Sequence, residues 1–247
     1  MWIENDGIRL NARLDMPEHA GTRVPLVIII HGFTGHMEER HIVAVQKAVN
    51  EAGYAALRVD MYGHGHSDGK FEDHTLYKWL TNVMAVMDYA TGLSFVSRIY
   101  LCGHSQGGMT AMLAGAMLHD RIAGLLPLSP AWMIPEYARK GELLGIQFDP
   151  EHVPDMLTAW DGKKLKGNYV RVAQTIRVED AIDRYHGPVL LIHGDKDEAV
   201  PYEYAERAVQ RYTDATLVRI PDDTHCYDLH LDMVTDAVRA WLLKQKG

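Results

Sequence analysis

The chain has 247 residues, a length that one α/β domain with one core and one active site occupies. Apolar residues at 47% and charged residues at 23% exclude a disordered or low-complexity chain, and a formal charge of -8 without a Lys/Arg-rich run excludes nucleic acid as an expected partner. Glu4 and Asp6 stand where a secretory leader needs basic residues, and the longest apolar run, around Val24 to Ile30, is far short of a membrane span, so a soluble, cytoplasmic protein with no membrane partner is expected.

In chain order, residues 2 to 16 alternate around the Asn5-Asp6-Gly7 turn signal and read as an antiparallel hairpin at a sheet edge, an edge that leaves homodimer pairing open. Leu26 to Ile30 then reads as a strand, Glu39 to Ala52 as a helix and Tyr54 to Val59 as a strand, an alternation that implies parallel strands joined by right-handed crossovers. Further strands are expected at Ile99 to Cys102, Ile122 to Leu128, Val189 to His193 and Thr216 to Ile220, with helices after Ser105, Tyr202 and Asp228. The last helix carries Met233, Val234, Ala237, Val238, Trp241 and Leu242, an i, i+4, i+8 stripe suited to burial against a sheet. Between Ala131 and about Gly187 the strand–helix rhythm breaks. That insertion is expected to form a small cap ahead of the strand at Val189, over the C-terminal ends of the strands, in a chain that is otherwise a single domain from 1 to 247.

The sharpest chemical signal is Gly103-His104-Ser105-Gln106-Gly107, which matches GxSxG and lies between an apolar strand and a helix-forming run. A serine there sits in a strained turn that lifts its hydroxyl above the sheet, and bare glycines let strand and helix approach. Cys102 ends an apolar strand and reads as a packed core thiol, so serine keeps the nucleophile's role. With only Cys226 beside it there is neither a disulfide framework nor a zinc spacing. His36 and His41 flank Glu38-Glu39 at i, i+5, which does not align two imidazoles as HExxH does, and no P-loop or dinucleotide fingerprint is present, so neither metal nor other cofactor is expected.

Four blocks together resemble the α/β-hydrolase family over nearly the whole chain: His31-Gly32-Phe33-Thr34-Gly35, Asp60-Met61-Tyr62-Gly63-His64-Gly65-His66-Ser67, the serine elbow, and Gly194-Asp195-Lys196-Asp197-Glu198-Ala199-Val200-Pro201. The resemblance implies an α/β-hydrolase fold with a mostly parallel, doubly wound sheet, and a triad in the order Ser, acid, His. Of fourteen histidines only His225 and His230 lie beyond the last strand, and His225 follows that strand in the expected loop, so it is the expected base. The family's GxxDxxVP spacing maps the acid onto Asp197, whereas Asp195 is the residue expected to close the turn. The oxyanion donors it implies are the backbone N–H groups of Phe33 and of Gln106, the latter at a helix start. The Gly63–His66 tract, which looks like a metal site in isolation, falls in a structural loop of that family.

HGFTGHMEERHI, DMYGHGHSDGKFEDHT, CGHSQGG and LSPAW are together similar to the bacterial cinnamoyl (feruloyl) esterases. That likeness implies an aromatic ester substrate, with hydroxycinnamic acids released from plant cell-wall esters. A hydroxycinnamoyl ring asks for apolar walls and one or two polar groups, for which Trp132, Trp160, Tyr169 and Gln147 are the candidates. The alternatives are a short-chain or monoacylglycerol-type lipase, which would need a longer apolar tunnel, and a non-catalytic hydrolase-fold binding protein, which usually lacks part of the triad.

Overall fold

The computed structural model describes residues 1–143, 145–159 and 161–245. The elements run β1 (Trp2–Asn5), β2 (Ile8–Asp15), β3 (Val24–Ile30), α1 (Arg40–Glu51), β4 (Ala55–Val59), α2 (Leu76–Thr91), β5 (Val96–His104), α3 (Gln106–Met117) and β6 (Gly124–Leu128). There follow α4 (Ile134–Lys140), β7 (Glu142–Leu143), β8 (Ile146–Gln147), β9 (Met156–Thr158), β10 (Lys164–Lys166), α5 (Asn168–Thr175) and α6 (Val178–Arg184). The chain closes with β11 (Val189–Gly194), α7 (Glu203–Arg211), β12 (Ala215–Ile220) and α8 (Leu231–Lys244).

Strands β3 and β6 are apolar on both faces, and β4 and β11 are so apart from the buried Arg58 and His193, because both faces are covered, the pattern of a parallel sheet between helices. Along β3, Leu26, Ile28 and Ile30 enter one core with α2 and α3, while Val27 and Ile29 enter the other with α1 and α8. The eight strands lie in the order β1-β2-β4-β3-β5-β6-β11-β12. The β1–β2 hairpin and its β2–β4 junction are antiparallel, and every other pairing in that sheet is parallel. This is the expected α/β-hydrolase architecture, hairpin included.

The chain leaves β3 for β4 on one side and returns to β5 on the other, so the order reverses between β3 and β5. Ligands of open α/β sheets bind beyond the strand C-termini at such a switch point. Here Ile30 pairs with Gly103, which places the segment after β3 directly beside the segment after β5.

Between β6 and β11 lie α4, the β7–β8 and β9–β10 hairpins and α5, with α4 packed on α5. Helix α6 packs on α3, so the last part of the 131–187 stretch rests on the core. The last helix begins at Leu231, three residues later than Asp228, because the buried Asp223 carboxylate accepts the amide protons of Leu229 and His230 and holds that loop out of the helix. Its buried stripe is Val234, Val238, Trp241 and Leu242, while Met233 faces out. Among the described residues no helix is long and apolar enough to cross a membrane.

Candidate active site

Ser105 sits at the junction of β5 and α3 with φ 56° and ψ -120°, a backbone conformation that costs an L-residue on the order of 1–3 kcal/mol. Three hydrogen bonds offset the strain: its N–H donates to Leu128 O at 2.9 Å, and its carbonyl accepts from Met109 N and Ala131 N, each at 3.0 Å. The turn closes only with glycine at Gly103 and Gly107, since a Cβ on either would run into a main-chain carbonyl, of Gly107 and of His31 respectively.

Asp197 and His225 come from the loops after β11 and β12. His225 Nδ1 lies 2.7 Å from Asp197 Oδ2, so the ring donates from Nδ1 and Nε2 is left for a hydroxyl. The carboxylate is fully covered; its Oδ1 accepts from Ala199 N at 2.9 Å and Val200 N at 2.8 Å. Burial pushes the Asp197 carboxyl up, but the contacts with His193 and His225 outweigh it and hold the group well below the usual carboxylate range. Asp195 instead accepts from Asp222 N and pairs with Arg219 at the surface, closing the turn.

Phe33 follows Gly32, whose carbonyl is tied down by Gly35 N at 3.2 Å and by His31 Nδ1 at 2.7 Å. His31 Nε2 accepts from Met61 N at 3.0 Å, so Nδ1 carries the proton, and burial keeps this ring neutral by pulling its pKa well below the ordinary value. In a trans peptide the Phe33 N–H points opposite to that anchored carbonyl. The Phe33 carbonyl in turn is held by His64 Nε2. Gly32 packs against Ser105, and Gln106 N begins α3, so the two expected donors flank the serine.

Ser105 and His225 open onto one cavity of about 830 Å³. Its cap side is formed by Met133 just before α4, by Ile134 and Tyr137 of α4 and by Leu143, Ile146 and Gln147 of the β7–β8 hairpin. The other side carries Glu39 and Cys226, both raised in pKa by burial, the thiol to about 12, so Cys226 is unreactive near neutrality.

Of the residues expected to meet a substrate, Gln147 lines this cavity. Two others do not. Trp132 is buried beneath α7, where its Nε1 donates to Tyr204 O at 2.9 Å and Arg207 stacks on its ring. Tyr169 is fully buried behind the oxyanion loop, edge-on to Phe33, its hydroxyl donating to Gln106 Oε1 at 2.6 Å. Both satisfy their polar atoms within the fold, so they shape the wall from behind. Trp160 lies outside the described residues.

The sequence reading missed His193 and Asp223. His193 Nε2 stands 3.0 Å from both Val200 O and Asp197 Oδ2, with its N–H aimed at the carbonyl. Its signal was present, a histidine closing an apolar strand just before Gly194, but spacing names no partner. The Gly63–His66 block is a structural loop: Asp60 accepts from Met37 N, His66 N and Asn11 Nδ2, and Ser67 Oγ donates to Asp60 O. Among the described residues no cluster of three metal-ligating side chains occurs.

The family model described as serine aminopeptidase, S33 matches residues 22–175, and that of the TAP-like proteins matches 163–246. The structure of Est1E from Butyrivibrio proteoclasticus with ferulic acid bound superposes with a TM-score of 0.98 at 66% identity, covering 99% of this chain and 98% of that one. Human mitochondrial palmitoyl-protein thioesterase ABHD10 is 24% identical over 209 residues, 81% of this chain and 67% of its own length. The mouse alpha/beta hydrolase domain-containing protein 10 shares the fold, with a TM-score of 0.82 at 19% identity over 99% of this chain and 98% of its own.

Proposed function

Because the chain belongs to the serine aminopeptidase S33 family and has the α/β-hydrolase fold, we propose that it is a serine carboxylic ester hydrolase, a feruloyl esterase releasing hydroxycinnamic acids from plant cell-wall esters. One observation carries this reading: a strained serine and a histidine held by the buried Asp197 share one cavity, in a chain 66% identical to a protein that binds ferulic acid.

In the proposed reaction Ser105 Oγ attacks the ester carbonyl carbon while His225 Nε2 takes its proton, and Asp197 stabilises the imidazolium. The carbonyl oxygen becomes an oxyanion received by the Phe33 and Gln106 N–H groups, of which losing one typically costs about 100- to 1,000-fold in rate. The C–O bond to the alcohol then breaks, and His225 returns the proton to the leaving oxygen. Water, deprotonated by His225, repeats the sequence on the acyl-serine and frees the acid. The apolar residues of α4 and the β7–β8 hairpin are suited to a flat acyl ring, and the Gln147 amide to its ring hydroxyl.

The size of the cavity, about 830 Å³, favours one competing reading, a short-chain or monoacylglycerol-type lipase, whose activity would rise with acyl length. Labelling by a phenyl phosphonate tests the shared core of both. Modification of Ser105 with loss of activity is expected, and an unmodified, inactive protein would refute the esterase reading.

A further inference from the structure

We propose that His41 and His104 act as a positioning pair, a tautomer lock that holds the backbone of the base from behind; the inference rests on the serine-esterase reading above. His104 immediately precedes Ser105, is buried, and has Gly32 of the oxyanion loop packed against it. Its Nε2 lies 2.8 Å from the main-chain carbonyl of His225. A carbonyl only accepts, so Nε2 carries the proton. Its Nδ1 lies 3.1 Å from His41 Nε2; in a neutral ring protonated at Nε2, Nδ1 is the acceptor, so His41 must donate.

The three rings are in contact, with centroids 4.3 Å apart for His41 and His104 and 4.6 Å apart for His104 and His225. Burial keeps the pair neutral, with His41 lowered to about 4 and His104 well below its ordinary value. The groups facing His41 are Glu39, His225, Asp228, Arg40 and His36, and those facing His104 are His41, His225, Asp197 and Tyr227. Neutrality keeps a positive charge away from the imidazolium that His225 becomes at each proton transfer. The donation from His41 has a second effect. It adds to the selection of the Nε2–H form of His104 that the His225 carbonyl already makes; without it the buried Nδ1 lone pair has no donor, and the other tautomer, which would turn a lone pair toward the His225 carbonyl and release the loop, becomes more populated.

One residue thus ties three segments that must stay in register: the elbow, of which it is part, the oxyanion loop packed on it and the base loop bonded to it. Neither histidine is required to touch substrate for this.

The test is steady-state kinetics on methyl ferulate for His104→Phe, His104→Gln and His41→Phe, with active sites counted by phosphonate titration and Ser105→Ala measured alongside. Phenylalanine keeps the ring and removes the donor; glutamine places an amide N–H at about the reach of Nε2. Since a displacement of about 1 Å at a reacting group costs on the order of 100-fold, His104→Phe is expected to lower kcat about 30-fold per titrated site with KM within twofold. His104→Gln is expected to recover most of that loss, and His41→Phe to lower kcat about 10-fold. Wild-type kcat in His104→Phe and His41→Phe, or a change confined to KM, would overturn the inference while an inactive Ser105→Ala left the esterase reading intact. Should His104→Phe fail to fold, His41→Phe alone decides by the same readout. Activity retained by Ser105→Ala would instead overturn the reading on which the inference rests.

Discussion

Replacing Asp197 by Asn removes one charge and reverses one hydrogen bond while sparing the turn that carries both. Asn Oδ1 keeps the Ala199 and Val200 amide protons, which lie 2.9 and 2.8 Å from the present Oδ1, because those donors need an acceptor. The new Nδ2 then faces His225 Nδ1, where Oδ2 now sits at 2.7 Å. Two N–H groups cannot bond, so the imidazole adopts its Nε2–H form and has no lone pair for the Ser105 proton. Loss of the carboxylate–imidazolium attraction is worth ~4 kcal/mol for charges about 4 Å apart at an effective dielectric constant of about 20, or ~1,000-fold in rate. With the wrong tautomer added, kcat is expected to fall by ~10⁴ with KM little changed. The assay is kcat and KM on methyl ferulate for Asp197→Asn beside Asp195→Asn, whose partner Arg219 is largely solvent-exposed and whose kcat is expected to stay within about threefold of wild type. A larger loss in Asp195→Asn, or less than about tenfold in Asp197→Asn, would refute the assignment of the acid.

Gln147→Ala is expected to raise KM for methyl ferulate about 5- to 10-fold, the worth of one neutral hydrogen bond, and to leave 4-nitrophenyl butyrate unaffected; equal changes on both esters would remove Gln147 from ring recognition. Tyr169→Phe leaves Gln106 Oε1 without its partner and should cost roughly 1–3 kcal/mol, a few degrees in Tm, with KM for ferulate within twofold. A selective rise in that KM would return Tyr169 to the substrate's surroundings. Burial holds His31, His41, His64, His74 and His104 below the ordinary imidazole range, His41 to about 4 and His74 to about 3. The unfolded chain therefore takes up protons near pH 6.5 that the folded one refuses. Stability is full above about pH 6.5 and falls as pH drops toward the folded values, by about 1.4 kcal/mol per proton per pH unit. Thermal melts should show Tm falling by at least about 10 °C between pH 7 and 5, and a flat Tm over that interval would show that these rings are not buried in neutral form.

The sheet was legible because its strands are short apolar runs bounded by glycine-bearing loops, and a strand buried on both faces leaves that mark in any sequence. Helix α2 was legible too, with Trp79, Leu80, Val83, Val86, Met87 and Ala90 on its buried side, yet it was not among the elements read out between the two strands it joins. The hairpins of the cap were not, because two- and three-residue strands carry no measurable period. In the candidate site, Ser105 and Asp197 stood in motifs whose spacing reflects local backbone geometry, and His225 was reached through the family's chain order, in the loop after the last strand. Trp132 and Tyr169 did not: an aromatic residue in an insertion packs or binds according to partners such as Tyr204 and Gln106 that lie 72 and 63 positions away. His104 lay in full view within the elbow, but its role depends on His41 and His225, from two other segments.

Hydrolysis of aromatic acyl esters by Ser105 is measured as kcat/KM for methyl ferulate against 4-nitrophenyl butyrate, with Ser105→Ala as the blank. Ser105-dependent turnover of both with a clear preference for ferulate is expected. A preference for butyrate would contradict the aromatic acyl site, and turnover independent of Ser105 would contradict the mechanism itself.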